Sequence, residues 1–299
     1  VVPGEMGVWD PDGNASVLTR VRNLPLDKEV REAATGIDWR LGAKNSVGAT
    51  YTFTRTERAH REVAATDDSS LKLNWTNRAL DWLTLRANYT YLKRSGSAYD
   101  FDPYEFTFSS DLPGYVAPAA GTAAHTVAEL RKYDVSSRDQ NKLDLMATII
   151  LPHEMTLYAS LRGDWNDYDA ELGRQKYDTV GASLQWEWQP RPGSVAGAWY
   201  GHDRSTLDFA NINDSGAMTP DPNLGGVNYP DANRWWVDDK QRNHYAGANW
   251  SQRIGRATLD GSWNWTYSRG TTAYRFASPA ALPAPALAPL LAGEYPPMI

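Results

Sequence analysis

The chain has 299 residues, 30 Lys+Arg against 36 Asp+Glu for a net charge of −6, and 13 Trp, 16 Tyr and 6 Phe with no Cys. The missing cysteine excludes disulfide scaffolds, thiolate zinc sites, Fe–S clusters, cysteine nucleophiles and covalent c-type haem attachment, and the acidic balance argues against a nucleic-acid partner. Mean hydropathy is −0.56, and the most apolar run, Met146 to Leu151, is broken by Thr148 and ends at Pro152, which rules out a membrane-spanning helix but not a membrane-spanning strand.

At the N-terminus, Val1 to Glu5 show neither an initiator Met nor a basic region followed by an apolar one, so the start reads as processed or missing. Asp10-Pro11-Asp12-Gly13-Asn14 has the oxygen-rich look of part of a calcium loop, yet it lacks the distal bidentate Glu, and turn chemistry is the simpler account. Period-two patterning then begins, weakly at 30–41, 46–58 and 68–77. It is clear where Leu83, Leu85, Ala87, Tyr89 and Tyr91 alternate with Thr84, Arg86, Asn88 and Thr90. Leu143, Leu145, Ala147 and Ile149 alternate in the same way with Lys142, Asp144, Met146 and Thr148. The pattern recurs in Met155 to Arg162 and in Val180 to Trp188, weakly at 195–204 and 240–252, and last in Ala257 to Tyr267. This predicts ten strands and no helix. Pro279 to Pro297, dense in proline, forms neither helix nor central strand and reads as an extended loop. A chain that stops there is expected to be a fragment.

The connections sort by length. Short ones fall at Ala43-Lys44-Asn45, Asn77 to Asp81, Pro152-His153-Glu154, Pro190 to Gly193 and Ile254-Gly255; longer ones fall between them at 59–67, 93–131, 168–176, 205–238 and 270–299. Strict alternation puts tight turns on one rim and large loops on the other, as in an outer-membrane barrel with short periplasmic turns and long extracellular loops. The expected fold is therefore all-β: a transmembrane antiparallel up-and-down β-barrel portion over 1–299, with long loops 93–131 and 205–238 and a Pro/Ala-rich loop 270–299, in the bacterial outer membrane.

Aromatic residues gather near strand ends, and Trp82, Tyr91, Trp186, Trp188, Trp263, Trp265 and Tyr267 are the expected headgroup girdles. The opposite strand face carries Lys72, Asn74, Thr76, Arg86, Asn88, Lys142, Asp144, Arg162, Asp164, Asp260 and Asn264. In a soluble sandwich that face would meet bulk water, and in a wide barrel it meets a wet lumen; the loop asymmetry favours the lumen. His60, His125, His153, His202 and His244 have no metal-ligand spacing, so no metal site is expected. One catalytic alternative follows from size: a ten-stranded barrel would match omptin-type proteases, with His202-Asp203 or Asp238-Asp239 at a long-loop rim as the carboxylate/His pair.

Several stretches resemble, as a set, the MtrB/PioB family of decahaem-associated outer-membrane β-barrels. They are Leu71-Lys72-Leu73-Asn74-Trp75, Leu80-Asp81-Trp82, Leu85-Arg86-Ala87-Asn88-Tyr89 and Tyr91-Leu92-Lys93-Arg94-Ser95-Gly96, followed by Asp102-Pro103-Tyr104-Glu105, Leu112-Pro113-Gly114-Tyr115 and Arg131-Lys132-Tyr133-Asp134. The resemblance implies a barrel of more than twenty strands, of which these ten are part. It also implies a non-enzymatic sheath that holds a periplasmic decahaem c-type cytochrome in its lumen for electron transfer across the outer membrane. The barrel itself would bind no cofactor, the haem belonging to the partner. Lys72, Asn74, Arg86, Asn88, Lys142, Asp144, Arg162 and Asp164 become candidate docking contacts, and the long loops candidate contacts for an extracellular multihaem cytochrome. A general diffusion porin is the alternative.

Overall fold

The structure is a computed structural model and describes residues 5–8, 20–22, 27–59, 61–99, 130–212 and 234–277. In chain order the strands are β1 (Glu5–Val8), β2 (Arg20–Arg22), β3 (Lys28–Arg40), β4 (Asn45–Arg58), β5 (Ala65–Leu80), β6 (Leu83–Gly96) and β7 (Leu130–Arg131), then β8 (Arg138–Leu151), β9 (Met155–Tyr168), β10 (Leu172–Arg191), β11 (Ser194–Ile212), β12 (Arg234–Ile254) and β13 (Ala257–Phe276). β1 pairs only with β2, and the short β7 lies parallel to the start of β10. The other ten strands form one antiparallel sheet in the order β13-β12-β11-β10-β9-β8-β6-β5-β4-β3, each beside its neighbour in sequence apart from the excursion through β7. Among the described residues β3 and β13 do not pair with each other, so the ten strands are not a closed small barrel.

Every strand expected from the alternation is present, and most are longer than expected. β10 begins at Leu172, which shrinks the predicted 168–176 link to residues 169–171, while β11 runs on to Ile212 and β13 to Phe276. These three extensions lie on the long-loop side. There a strand has left the apolar slab, apolar residues such as Leu172, Phe209, Ile212 and Tyr274 mix with polar ones on its faces, and the period-two signal fades although the ladder continues. The stretch Asp10 to Asn14, His60, His125 and the loop cores 101–129, 213–233 and 278–299 lie outside the described residues.

The short turns are closed by local geometry. Gly42, Gly193 and Gly255 have φ of 78°, 83° and 62°, a region open to glycine without steric cost. The β8–β9 turn uses His153 and Glu154 at φ 63° and 56° instead. It is held by Trp188, whose Nε1 donates to the His153 carbonyl at 3.1 Å.

Register makes the two faces continuous across the sheet. The residues Trp39, Val47, Trp75, Ala87, Leu145, Leu161, Ala182, His202, His244 and Tyr267 stand side by side in one row. Trp39 is the penultimate residue of β3 and Tyr267 lies midway along β13, so the row climbs away from the short-turn rim as it crosses the strands, the stagger that strand tilt in a barrel demands. The large side chains of this face are uncovered: Ile37 is 70% exposed, Trp263 57% and Leu184 46%. No second layer packs on it among the described residues, and an apolar surface this continuous is a lipid-facing one. Buried hydrophobic residues cluster instead at the long-loop rim, where Leu172, Ala210 and Ile212 pack with Leu130 and Trp236, and Val63 and Val135 are enclosed nearby.

Candidate docking wall on the inner face

The opposite face carries the candidate site. One rung crosses the whole sheet as Asp38, Gly48, Asn74, Asn88, Asp144, Arg162, Gly181, Asp203, Asn243 and Ser268. The next rung toward the long loops contains Lys72, Thr90, Lys142, Asp164, Thr179, Ser205 and Gln241, and the next toward the short turns contains Thr76, Arg86, Met146, Ser160, Ser183, Gly201 and Tyr245. All eight predicted docking residues therefore share one face. Asn74, Asn88, Asp144 and Arg162 form a single rung; Lys72, Lys142 and Asp164 stand on the second, and Arg86 on the third.

The charges are mixed in sign and cross-paired. Lys142 Nζ lies 3.4 Å from Asp164 Oδ2, and Asp164 also accepts from Gln140 Nε2 and Asn166 Nδ2, each at 2.8 Å. Asp144 stands directly opposite Arg162. A concavity of about 600 Å³ opens here, lined in part by Lys142, Asp144, Arg162, Asp164, Asp203 and Asn243. A wall with alternating charges offers many weak, water-shared contacts and no single-sign stripe, which suits a large polar partner better than a nucleic acid or one selected ion.

The wall is kept flat by glycines that make room for cross-strand side chains. A Cβ at Gly181 would stand 2.2 Å from Asp203 Oδ1, one at Gly201 would stand 2.0 Å from the Tyr245 ring, and one at Gly247 would stand 2.1 Å from Trp199. Tyr245 thus lies along the wall with its hydroxyl between Asp203 and Arg162. Sequence reasoning did not place Trp199, Asp203 and Tyr245 here. The available signal was Gly197-x-Trp199-x-Gly201 with Tyr245-x-Gly247, small and large residues alternating on one face.

The protease alternative does not assemble. His202 and Asp203 are neighbours in a strand and face opposite ways. Asp203 joins the inner rung, whereas His202 lies against His244 on the lipid-facing side, the two rings tilted at 32° with centroids 4.4 Å apart. Asp238 is paired outward with Lys240 at 2.8 Å, and Asp239 faces inward, accepting from Thr272 Oγ1 at 2.6 Å. Among the described residues no carboxylate meets a histidine at that rim. Of the expected girdle residues, Tyr91, Trp186, Trp188, Trp263, Trp265 and Tyr267 project on the lipid-facing side, and Trp82 lies in the β5–β6 turn.

At the long-loop rim, side chains from four segments lock together. Arg94 grips both oxygens of Asp68 at 2.7 and 2.9 Å and donates to the Asp134 carbonyl at 2.9 Å. Arg61 reaches the Asp134 carboxylate at 2.5 Å and Glu62 at 3.4 Å, and Lys132 also pairs with Glu62. Glu62 is 2% exposed. Burial pushes its carboxyl up, but the Lys132 ammonium, a backbone N–H and Arg61 together outweigh that and hold it below the ordinary carboxylate value.

Among solved structures the chain is similar to the ferric-catecholate import receptor Fiu of E. coli, with 13% identity and a TM-score of 0.43, covering 84% of this chain and 47% of that one. It is similar to the siderophore receptor PiuA of Acinetobacter baumannii at 13% identity and a TM-score of 0.36, covering 86% and 48%, and to LpxR of Salmonella typhimurium at 10% and 0.23, covering 81% and 87%. The chain spans about half the length of the first two. No curated protein matches. The sequence model described as an outer membrane beta-barrel porin, MtrB/PioB, matches residues 8–298. Uncovered apolar face, polar inner rungs and sorted loops are what that match requires, and the chain belongs to the MtrB/PioB family of outer-membrane β-barrel porins.

Proposed function

We propose that this wall forms part of a non-enzymatic sheath that surrounds a periplasmic multihaem c-type cytochrome and lets electrons cross the outer membrane through the partner's haems. The observation that carries the reading is the inner rung from Asp38 to Ser268, polar at every position except Gly48 and Gly181, backed on its other face by a continuous lipid-facing row. Such a wall holds a soluble protein inside the bilayer while shielding it from hydrocarbon. In this reading the redox chemistry belongs to the partner and the barrel supplies geometry, which fits a chain with no cysteine for thioether attachment of haem. The rim network around Asp134 and Glu62 ties residues 132–134 to β5 and β6, and in this reading the long loops 93–131 and 205–238 contact a second, extracellular cytochrome.

The test is purification of the full-length barrel from outer membranes in mild detergent, followed by haem staining. Stoichiometric co-purification of a multihaem cytochrome is expected. A cytochrome-free barrel with a large open conductance in planar bilayers would overturn the reading in favour of a diffusion porin.

A further inference from the structure

The lipid-facing side carries a second chemical feature, which porin function does not use. Immediately beyond the His202–His244–Tyr267 row, on the side of the long loops, Arg204 stands opposite Arg242 and Arg242 opposite Arg269 on three adjacent strands. All three are exposed, and none has an acidic partner within ion-pair distance among the described residues. Like charges directly opposite on neighbouring strands are destabilising, so three in succession call for a compensating anion. The acids of this face are committed one and two rungs further out: Asp178 pairs with Lys176 at 3.3 Å and Asp238 with Lys240 at 2.8 Å, and Asp208 is registered between Lys176 and Asp238. Thr206 and Thr271 occupy the intervening rung with Lys240.

Depth identifies the anion. Below the arginines the same face carries Ala196, Ala198 and Tyr200 on β11, Trp250, Ala248 and Ala246 on β12, and Leu259, Trp263, Trp265 and Tyr267 on β13, an apolar and aromatic band that reaches down toward the short-turn rim. A tilted strand crosses the hydrocarbon in about 9–11 residues, which sets the three guanidiniums at the headgroup level of the leaflet on the long-loop side, the extracellular one. Neighbouring strands are about 4.8 Å apart, so the three arginines fall within roughly 10 Å of wall. Planar guanidinium forks at that spacing match phosphate oxygens bidentately.

We infer that Arg204, Arg242 and Arg269 form a site on the outer wall for the phosphate groups of a phosphorylated glycolipid of the outer leaflet, with the Tyr200, His202, His244 and Tyr267 rings beneath it lying along the lipid's sugar-to-acyl junction. The site fixes the height of the barrel in the membrane and neutralises the like-charge row.

The test uses the full-length barrel, purified from outer membranes and placed in phosphatidylcholine vesicles doped with bis-phosphorylated lipid A or with the same lipid stripped of its phosphates. Retained lipid is counted by native mass spectrometry after detergent exchange. The unaltered barrel is expected to keep the phosphorylated lipid and lose the dephosphorylated one. Changing all three, R204Q, R242Q and R269Q, is expected to weaken retention roughly fivefold per arginine, on the order of a hundredfold together. Lys176→Gln with Lys240→Gln, which touches cations already paired with acids, is expected to change it less than twofold. If the triple variant does not insert, Arg242→Gln alone carries the test with an expected fivefold loss. Equal retention of the two lipids by the unaltered barrel, or undiminished retention by the arginine variants, would overturn the inference.

Discussion

Tyr245 lies flat across Gly201, its partner in the ladder, so closely that a Cβ at 201 would sit 2.0 Å from the ring. Gly201→Ala therefore cannot be absorbed by a small shift. The ring must swing off the wall into the bore, leaving Asp203 and Arg162 without the hydroxyl between them. The expected cost is about 1–3 kcal/mol, read as a lower unfolding temperature in a heat-modifiability gel. Gly270→Ala is the comparison, because the nearest atom to a Cβ there is 3.9 Å away, and it should be close to neutral.

Charge reversal on the central rung tests the docking wall directly. Arg162 faces Asp144 across one strand boundary and lies near Asp203 through Tyr245, so Arg162→Glu gathers three acids at one point. Haem retained per barrel through a salt wash is expected to fall at least tenfold, since like-charge juxtaposition across an interface costs several kcal/mol. Lys44→Glu, at the short-turn rim against Asp81, should leave the haem ratio unchanged.

Acid should loosen the long-loop rim before it loosens the membrane wall. The folded-state pKa of Glu62 is depressed below the ordinary value of 4.5 by Lys132, a backbone N–H and Arg61 against the cost of burial. Its contribution is then complete above the unfolded carboxylate's pKa and is lost as pH falls through the lower folded value. Hydrogen exchange in residues 130–137 is expected to accelerate as pH falls below the ordinary carboxylate range while β8 and β9 stay protected. Glu62→Gln should produce the accelerated rate already at pH 7, at a cost of about 1–3 kcal/mol for the buried partners it strands.

The β8–β9 turn holds two side-chain-bearing residues at positive φ, His153 and Glu154. Glu154→Gly removes the Cβ that makes this conformation costly, and a gain on the order of 1 kcal/mol in unfolding free energy is expected. Trp188→Phe cuts the other way. It deletes the N–H donated to the His153 carbonyl and should lower stability by about 1 kcal/mol, measured by urea titration in detergent.

Strand positions were readable because lipid on one side and water on the other enforce strict alternation; Leu83 to Tyr91 and Ala257 to Tyr267 show it without ambiguity. Register was not readable. Nothing in the local sequence says that Asn74 faces Asn88 and Asn88 faces Asp144, since each pairing is decided by turn geometry elsewhere. The same gap hid the arginine row, whose members lie 38 and 27 positions apart in the chain and meet only through the ladder. It also let His202-Asp203 look like a catalytic pair when the pleat sends the two to different solvents. Leu172 to Lys176 read as loop because a strand above the membrane has no lipid to sort its side chains.

The climbing row that begins at Trp39 and reaches the middle of β13 makes the inner wall a screw thread. A partner touching one rung meets Asn74, Asp144 and Asp203 at successively different heights above the short-turn rim. Turning such a partner about the bore axis is therefore equivalent to moving it along the axis. Contacts that set its angle set its depth at the same time, and a single rung of weak polar pairs suffices to seat a guest in both coordinates.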